Sequence, residues 1–453
     1  MLNILINAYA CSPKMGSEPG MAWNWCSYLA KHCNLHIITE GEFQRNIEEA
    51  LSTLPQAENM HFYYNPVSKE IRKMCWNQGD WRFYYYYNSW QAKTLKIANN
   101  IIKNNQIDII HQLNMIGFRE PGYLWKIERV PFIWGPINAK EKFPTSYLSK
   151  AGWKNKLFIY SKNILNILQL STAIRVKNAI NKANFVIAAS SDSQQALKKY
   201  FQCNAILINE SGCEISNVPL VFPKHNNTSL ELLWVGRFIF TKQLTLALET
   251  IATIKKLNIR LHIVGGSLEE ELQYKDISKK LKIESNCVWH SRISHEEVQK
   301  LMRICDLFFF TSIAEGTPHV ILEAFSNNLP VLCFNTCGHG DSVNEQVGIK
   351  IPLSTPQQSI NDFAEKITYL FNHRDVLKQM SENCRVRQEE LSWDNKAKQM
   401  VSLYEKVLSQ KIKAIKIICM ISFLINTFLF IGKSIPLQRN SYPIIPKPAL
   451  RDR

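Results

Sequence analysis

Glu315 and Glu323 are separated by seven residues in EGTPHVILE (315–323), one carboxylate in a loop and the other on the segment that follows it. DLFFFTS (306–312) reads as a buried strand, and IAEG (313–316) reads as its loop. The spacing predicts a helix over 318–325, with Thr317 as N-cap and Pro318 in the first helical position, where its missing donor costs nothing. The free amides of such a helix point into the cleft at the strand end and suit an anion. At 1.5 Å per residue, Glu323 falls about 7–8 Å from the helix start. A ligand with a phosphate in its middle would therefore meet one carboxylate on each side.

A second set of charges follows the same logic. VGRFIFTK (235–242) ends a strand at Gly236 and then supplies Arg237 and, five residues later, Lys242. A planar guanidinium fork and a mobile ammonium suit a diphosphate, and together they would offset charge growing on a departing nucleoside diphosphate. Taken alone, the same pair reads as two solvated surface cations. Near the start, Gly16 and Gly20 frame Ser17, Glu18 and Pro19 just before a helical pattern. The spacing departs from G-x-G-x-x-G, which disfavours a nicotinamide cofactor. Glycines here let a backbone pass close to a phosphate or sugar at a helix N-terminus, although an ordinary tight turn has the same signature.

The elements that must carry these residues form two series. With 453 residues and 46% hydrophobic content, the chain exceeds what one core usually holds, and two domains are expected. Short β-branched runs alternate with helical patterns at 3–9, 35–39, 108–113, 131–134, 185–190 and 205–209. After PKHNNTS (223–229) a second series begins, at 231–235, 260–264, 287–290, 306–311 and 331–334. This is the rhythm of α/β architecture with parallel sheets, two Rossmann-like halves joined near residue 225. Ligands of such sheets bind beyond the carboxyl ends of the strands.

The net charge of +16 suggests nucleic acid until it is located along the chain. Residues 140–182 hold nine basic residues against one acid, and residues 411–453 hold eight against one. Both segments interleave their charge with apolar and aromatic residues, a pattern that suits anionic lipid headgroups and counts against a nucleic-acid partner. The uncharged run 417–432 is shorter than the roughly 20 residues needed to span a bilayer. It reads as an interfacial segment or as a helix packed on the protein body, and the basic, proline-rich stretch beyond it reads as disordered. The twelve cysteines form no C-x-x-C pair, so no metal site is expected. With no secretory leader read at the start, the expected location is the cytoplasm, peripheral on the inner face of the membrane.

In combination, SPKMGSEPGMAW, DIIHQLN, GFREPGYLW, PFIWGP, VGRFIFTK, EGTPHVILE, GHGDSV and LSWDNKAKQMVSLYEKVL resemble glycosyltransferase family 4. These are the group 1 retaining transferases of GT-B fold, and the likeness is to those of bacterial surface-polysaccharide assembly (lipopolysaccharide, O-antigen or capsule). It covers about residues 1–408. It implies sugar transfer from a nucleotide-sugar donor to a saccharide acceptor, lipid-linked in this reading, with retained configuration and no required metal or other cofactor. Implied domains are 1–224 for the acceptor, 225–390 for the nucleotide sugar, and a closing helix over 391–410 that crosses back to the first domain, followed by a membrane-associated tail, 411–453.

Residue by residue, the resemblance assigns Arg237, Lys242 and the amides of Gly316 and Thr317 to the diphosphate, with Gly16 at the first-domain loop. It gives Glu315 to the donor sugar, Glu323 to the ribose and His111 to a catalytic position near the transferred sugar. A strand-end histidine such as His111 also reads as a hydrogen-bonded core residue. Glu18 is either an acceptor contact or a helix cap, and Asn114, Arg119 and Glu120 follow the His111 strand as acceptor candidates. The aromatic run WRFYYYYNSW (81–90) reads as helix packing rather than as a sugar platform. NNLP (327–330) replaces a usual glycine and places Asn328 in a left-handed turn, which asparagine tolerates. The other enzyme reading, a nucleotide-sugar epimerase or a GT-B enzyme without transfer, would need a base or cofactor arrangement that the sequence does not display.

Overall fold

The computed structural model describes residues 1–77, 80–140, 142–150, 152–215, 229–316 and 318–433, with side-chain surroundings up to residue 413. Two compact units are present, Met1–Tyr404 and Glu405–Arg453. The first unit contains two parallel sheets. One has seven strands, β1 (Leu2–Ala8), β2 (Cys33–Thr39), β3 (Met60–Tyr64), β4 (Ile109–Asn114), β5 (Phe132–Ile137), β6 (Phe185–Ala188) and β7 (Ile206–Leu207), in the order β3-β2-β1-β4-β5-β6-β7. The other has six, β8 (Leu230–Val235), β9 (Ile259–Val264), β10 (Cys287–Trp289), β11 (Leu307–Phe310), β12 (Val331–Phe334) and β13 (Gly348–Ile351), in the order β10-β9-β8-β11-β12-β13.

The central strands are buried along nearly their whole length because helices cover both faces. β4, β5, β11 and β12 are buried at every position. Two strands escaped the sequence reading, β3 and β13, and both are sheet edges with half-exposed residues. In each sheet the strand order reverses at a central pair, β1 beside β4 and β8 beside β11. Such reversals open a crevice at the carboxyl ends of the paired strands. The loops after these four strands hold Glu18, Ile116, Lys242 and Glu315.

The aromatic run falls on the helix Arg82–Asn104. Phe83, Tyr87 and Trp90 are buried on one face and meet the Tyr9 ring edge-on at 4.9–5.7 Å, while Tyr84, Tyr85 and Tyr86 are exposed. The turn at 327–330 places Asn328 at φ 53°, the left-handed conformation expected there.

Several segments tie the halves together. Tyr147, from the short Thr145–Lys150 turn of the first half, is buried in the second domain's core, and its hydroxyl meets Ser359 Oγ at 2.6 Å. Asp192, on the first-domain helix Ser191–Phe201, accepts the Cys337 amide at 3.0 Å and the Thr336 hydroxyl at 3.2 Å. Asp341 reciprocates by accepting the Ser191 amide at 2.8 Å. Each aspartate thus satisfies free amides at the other helix's N-terminus.

The long helix Trp393–Lys433 begins beside the second sheet and returns to the first. Trp393 packs edge-on against Trp25 at 5.8 Å, and Tyr404 reaches His111. The 417–432 run continues this helix as backbone, and residues 434–453 lie outside the described residues. The expected domain junction near residue 225 and the N-cap residue Thr317 also lie outside them.

Gly212 lets the strap close: a Cβ there would sit 2.7 Å from Trp393 Cδ2, against a backbone ladder running from Cys213 N to Leu391 O (2.8 Å). Gly212→Ala is expected to cost about 1–3 kcal/mol by overpacking. Thermal unfolding should show a Tm lower by several degrees, and an unchanged Tm would mean that the strap tolerates displacement of the indole.

Candidate active site

The four central loops converge on a cavity of about 410 Å3. The first domain contributes Ser17, Glu18, Ile116, Asn138, Glu210 and Ser211, and the second contributes Lys242, Glu315, Gly316 and His319. Three carboxylates and one ammonium therefore face a single volume.

Lys242 Nζ lies 2.6 Å from Glu315 Oε1, and that oxygen also accepts the Ser312 hydroxyl at 2.6 Å. The pair is only 13% and 20% exposed, so water screens it poorly. Beside it starts the helix His319–Ser326, with Pro318 in the N-cap position. The helix thus begins one residue later than the sequence spacing predicts, and Pro318 precedes its first turn rather than opening it. A helix start next to a lysine is an electropositive corner inside a cavity otherwise lined by carboxylates.

On the opposite wall, Glu18 Oε1 accepts the Ile116 amide at 2.8 Å. Burial raises the Glu18 pKa, the Ile116 bond offsets part of the rise, and the charge of Glu210 adds to it. Glu210 is itself buried, and the Trp25 indole N–H donates to its carbonyl at 2.8 Å. Gly316 permits the two domains to meet here, since a Cβ at that position would come within 2.6 Å of Glu210 Oε1. His319 Nε2 and Ser211 Oγ bridge the same seam at 3.3 Å.

Other expected residues stand apart from this cavity. Arg237 is exposed and has no ion-pair partner among the described residues. Glu323, one turn beyond His319 on the same helix, is not among the residues lining the cavity and lies 3.4 Å from His295 Nε2 and 3.3 Å from Gln299 Nε2. Gly16 caps the helix Ser17–Leu29 with open space around it, whereas Gly20 is sterically required, because a Cβ there would lie 2.1 Å from the Met15 carbonyl. His111 is buried, with Nδ1 2.7 Å from the Tyr404 hydroxyl and Nε2 2.7 Å from the Gly135 carbonyl. Burial holds its pKa down at about 4, so it stays neutral. Asn114 donates to the Ala10 carbonyl at 2.8 Å. Arg119 bonds Asn166 and Gln169, and Glu120 pairs with Arg175, so both brace the helix Trp153–Thr172 and its successor.

Residues 221–387 match the family model for glycosyl transferases group 1. The chain is a glycosyltransferase carrying a group 1 domain. It is 24% identical over 392 residues to an uncharacterized glycosyltransferase of Methanocaldococcus jannaschii, covering 83% of this chain and 91% of that protein. It is 25% identical over 242 residues to the capsular polysaccharide biosynthesis glycosyltransferase CapH of Staphylococcus aureus, covering 52% of this chain and 61% of CapH. Among solved structures it resembles the lipopolysaccharide outer core galactosyltransferase WaaB, with a TM-score of 0.61 at 15% identity over 90% of this chain and all of that one. Anabaena HepE in complex with UDP aligns with a TM-score of 0.55 at 15% identity over the same shares. The fold is GT-B.

Glu210 is the residue of this glycosyltransferase that sequence reasoning passed over. NESG (209–212) marks only a loop, and a lone acid in a loop normally points to solvent. Behind it stands Lys396, on the strap, donating to the Asn209 carbonyl at 3.1 Å. Burial pushes the Lys396 pKa down to about 8, with Glu210 and Cys213 opposing the shift and Arg387 adding to it. His339, in GHGDSV, is buried with no hydrogen-bond partner on either ring nitrogen among the described residues, and burial aided by Lys140 and Lys242 pushes its pKa down to about 3.

The Lys396 shift fixes the sign of a pH effect. Between the unfolded value of 10.5 and about 8 the unfolded chain holds the proton more readily, so stability rises with pH across that window. Lys396→Met removes this term, worth on the order of 3 kcal/mol at most. The Tm of the variant minus that of the parent should therefore fall as pH increases from 8 to 10.5, and a constant difference would contradict a buried, depressed lysine.

Proposed function

We propose that this glycosyltransferase moves a sugar, with retained anomeric configuration, from a nucleotide-sugar donor to a saccharide acceptor of surface-polysaccharide biosynthesis. The observation that carries the reading is the Lys242–Glu315 pair beside the start of the helix His319–Ser326, facing Glu18 and Glu210 across one cavity. A donor diphosphate placed there takes Lys242 and the helix amides, releasing Glu315 to accept sugar hydroxyls. Arg237, exposed on the same strand-end loop, swings onto the diphosphate when it arrives, and Glu323 holds the ribose. Glu18 and Glu210 orient acceptor hydroxyls from the first domain. Front-face attack then lets the departing phosphate oxygen take the acceptor's proton, with Lys242 and Arg237 supplying the charge compensation and no metal. CapH and WaaB, named for capsular polysaccharide and lipopolysaccharide, support the pathway class, and UDP in the HepE structure supports the donor class.

The same reading places the protein peripherally on the inner face of the cytoplasmic membrane, working on a lipid-linked acceptor. The helix Trp153–Thr172 supports this: it contains three lysines and no acid. It exposes Trp153, Leu157, Phe158, Tyr160, Ile164, Leu165 and Leu168. Among the described residues no helix is long and apolar enough to cross a membrane.

Ligand-observed NMR with UDP, GDP, TDP and ADP sugars tests the donor half. One donor should bind, and Lys242→Ala, Arg237→Ala and Glu323→Ala should each weaken it at least tenfold. Binding indifferent to all three substitutions would remove the donor site from this cleft. Co-sedimentation with vesicles containing phosphatidylglycerol tests the membrane half. The parent should pellet and Phe158→Ser/Leu165→Ser should stay largely in the supernatant; equal pelleting would assign the attachment elsewhere.

A further inference from the structure

The helix Arg82–Asn104 carries more aromatic surface than its packing uses. A helix on a sheet needs one apolar stripe, and Phe83, Tyr87 and Trp90 supply it against Tyr9. Trp81, Tyr84 and Tyr85, spaced i, i+3 and i+4, form a second stripe on a different face. Trp81 is 76% exposed, Tyr85 73% and Tyr84 47%. Burial in the core therefore explains the first stripe and leaves the second without a structural use, and exposed apolar surface gathered in one place marks a binding surface.

Parallel topology sets where this stripe lies. The helix leads into β4, and a helix that precedes a parallel strand starts at the carboxyl edge of the sheet, where ligands bind. Tyr87, three residues beyond Tyr84, accepts the Met115 amide at 3.4 Å just past the end of β4. The next amide, that of Ile116, is the one held by Glu18 in the active-site cavity. The stripe also meets the loop that follows. Asn88, its next position, accepts from the Tyr123 hydroxyl. The Tyr84 hydroxyl acts on the charge of Arg119, which bonds Asn166 and Gln169 of the helix Trp153–Thr172. Short chains of contacts thus link the exposed rings to the cavity on one side and to the helix proposed to meet the membrane on the other.

The chemistry of the two surfaces differs. The helix Trp153–Thr172 exposes mostly aliphatic side chains among three lysines and no acid, which suits an anionic lipid surface. Between residues 80 and 92 the only charges are Asp80 and Arg82, and they pair through two bonds of 3.0 and 2.7 Å. At the end of the preceding helix, Lys69–Trp76, the half-exposed Trp76 indole donates to Glu42 at 3.0 Å. Flat rings without net charge suit the C–H face of a pyranose, whose own hydroxyls stay in water, and tyrosine and tryptophan lose little rotamer entropy in such contacts.

We propose that Trp81, Tyr84 and Tyr85 form a stacking subsite for the sugar rings that precede the reacting one in an oligosaccharide acceptor, whose terminal sugar enters the cavity beside Glu18. The assignment rests on the sugar-transfer reading and deepens it. The acceptor has at least two rings, and any lipid it carries leaves toward the helix Trp153–Thr172.

An array of defined mono- to hexasaccharides, probed with the full chain and followed by calorimetric titration of the best-bound glycan, tests this. The bound glycans should contain two or more rings. Trp81→Ala/Tyr85→Ala should weaken the best of them at least tenfold, while the Tm and the pelleting on phosphatidylglycerol vesicles stay as in the parent. Trp81→Phe/Tyr85→Phe should recover most of that affinity, because a ring remains at each position. Binding of no glycan by the parent, monosaccharides bound as tightly as longer glycans, or a double-alanine variant that binds like the parent would overturn the subsite. Loss of vesicle pelleting in that variant, with glycan affinity unchanged, would give the stripe to the membrane instead. The two readings fail separately. Absence of nucleotide-sugar binding, with the glycan results as expected, counts against sugar transfer and leaves the subsite standing; nucleotide-sugar binding alongside an indifferent double-alanine variant removes the subsite alone.

Discussion

The ion pair between Lys242 and Glu315 is the contact around which the second domain is arranged. Its members come from the loops after β8 and β11, strands that are adjacent in the sheet only because the strand order reverses there. A half-buried ammonium and carboxylate each lose hydration, and their mutual attraction plus the Ser312 hydroxyl replaces it. That replacement is exchangeable. In the proposed reading, an anion at the start of the helix His319–Ser326 would compete for Lys242 and leave Glu315 to find donors on the same ligand.

The first domain supplies a rigid counterpart rather than a second charged pair. Under the loops after β1 and β4 lies a buried amide network, in which Asn7 Nδ2 donates to Gln91 Oε1 at 2.9 Å and to Gln112 Oε1 at 2.8 Å. Gly122, at φ 64°, closes over it where any Cβ would strike both glutamine oxygens within 2.8 Å. The amide donors are all placed, Gln91 Nε2 on the Tyr87 hydroxyl and Gln112 Nε2 on the Asn114 carbonyl, while Asn7 Oδ1 has no partner among the described residues. The strap then couples that arrangement to the second domain: Tyr404 meets His111 inside the first sheet, while Trp393 and Lys396 pack near Glu210 at the seam. His111 so placed, neutral and doubly hydrogen-bonded, links β4 to the helix that carries Tyr404.

The interior of the fold was legible in the sequence because central parallel strands are covered on both faces and so are rich in apolar residues, as the runs at β8, β11 and β12 show. β3 and β13 were not, since an edge strand needs only one buried face and MHFYY or GIKI carries no unambiguous period. The same division runs through the site. Lys242, Glu315 and Gly316 were readable from strand-end spacing, and the left-handed Asn328 from the chemistry of asparagine. The positions of Arg237 and Glu323 outside the cavity depend on which way a loop side chain and a helix face turn, which spacing does not encode. Glu210 depends on more still: it becomes a site residue only when Trp25, Gly316 and Lys396, separated from it by up to 186 positions, close around it.

The carboxylates explain what kind of ligand the seam selects. Glu18 and Glu210 face one another's charge in a buried place, and the pKa of Glu18 rises in consequence. Holding two like charges in a buried place is costly, and hydrogen-bond donors brought by a ligand would offset part of that cost. A polyhydroxylated ligand supplies those donors in a geometry fixed by its ring, and an analogue missing one hydroxyl leaves a carboxylate oxygen unpaired. Sites built to hydrogen-bond a hydroxyl discriminate strongly against its absence, by far more than an apolar pocket discriminates a methylene. In the proposed reading the cavity would select hydroxyl pattern on the first-domain side and anionic charge on the second, where the chain's two sheets bring those two kinds of recognition onto neighbouring atoms.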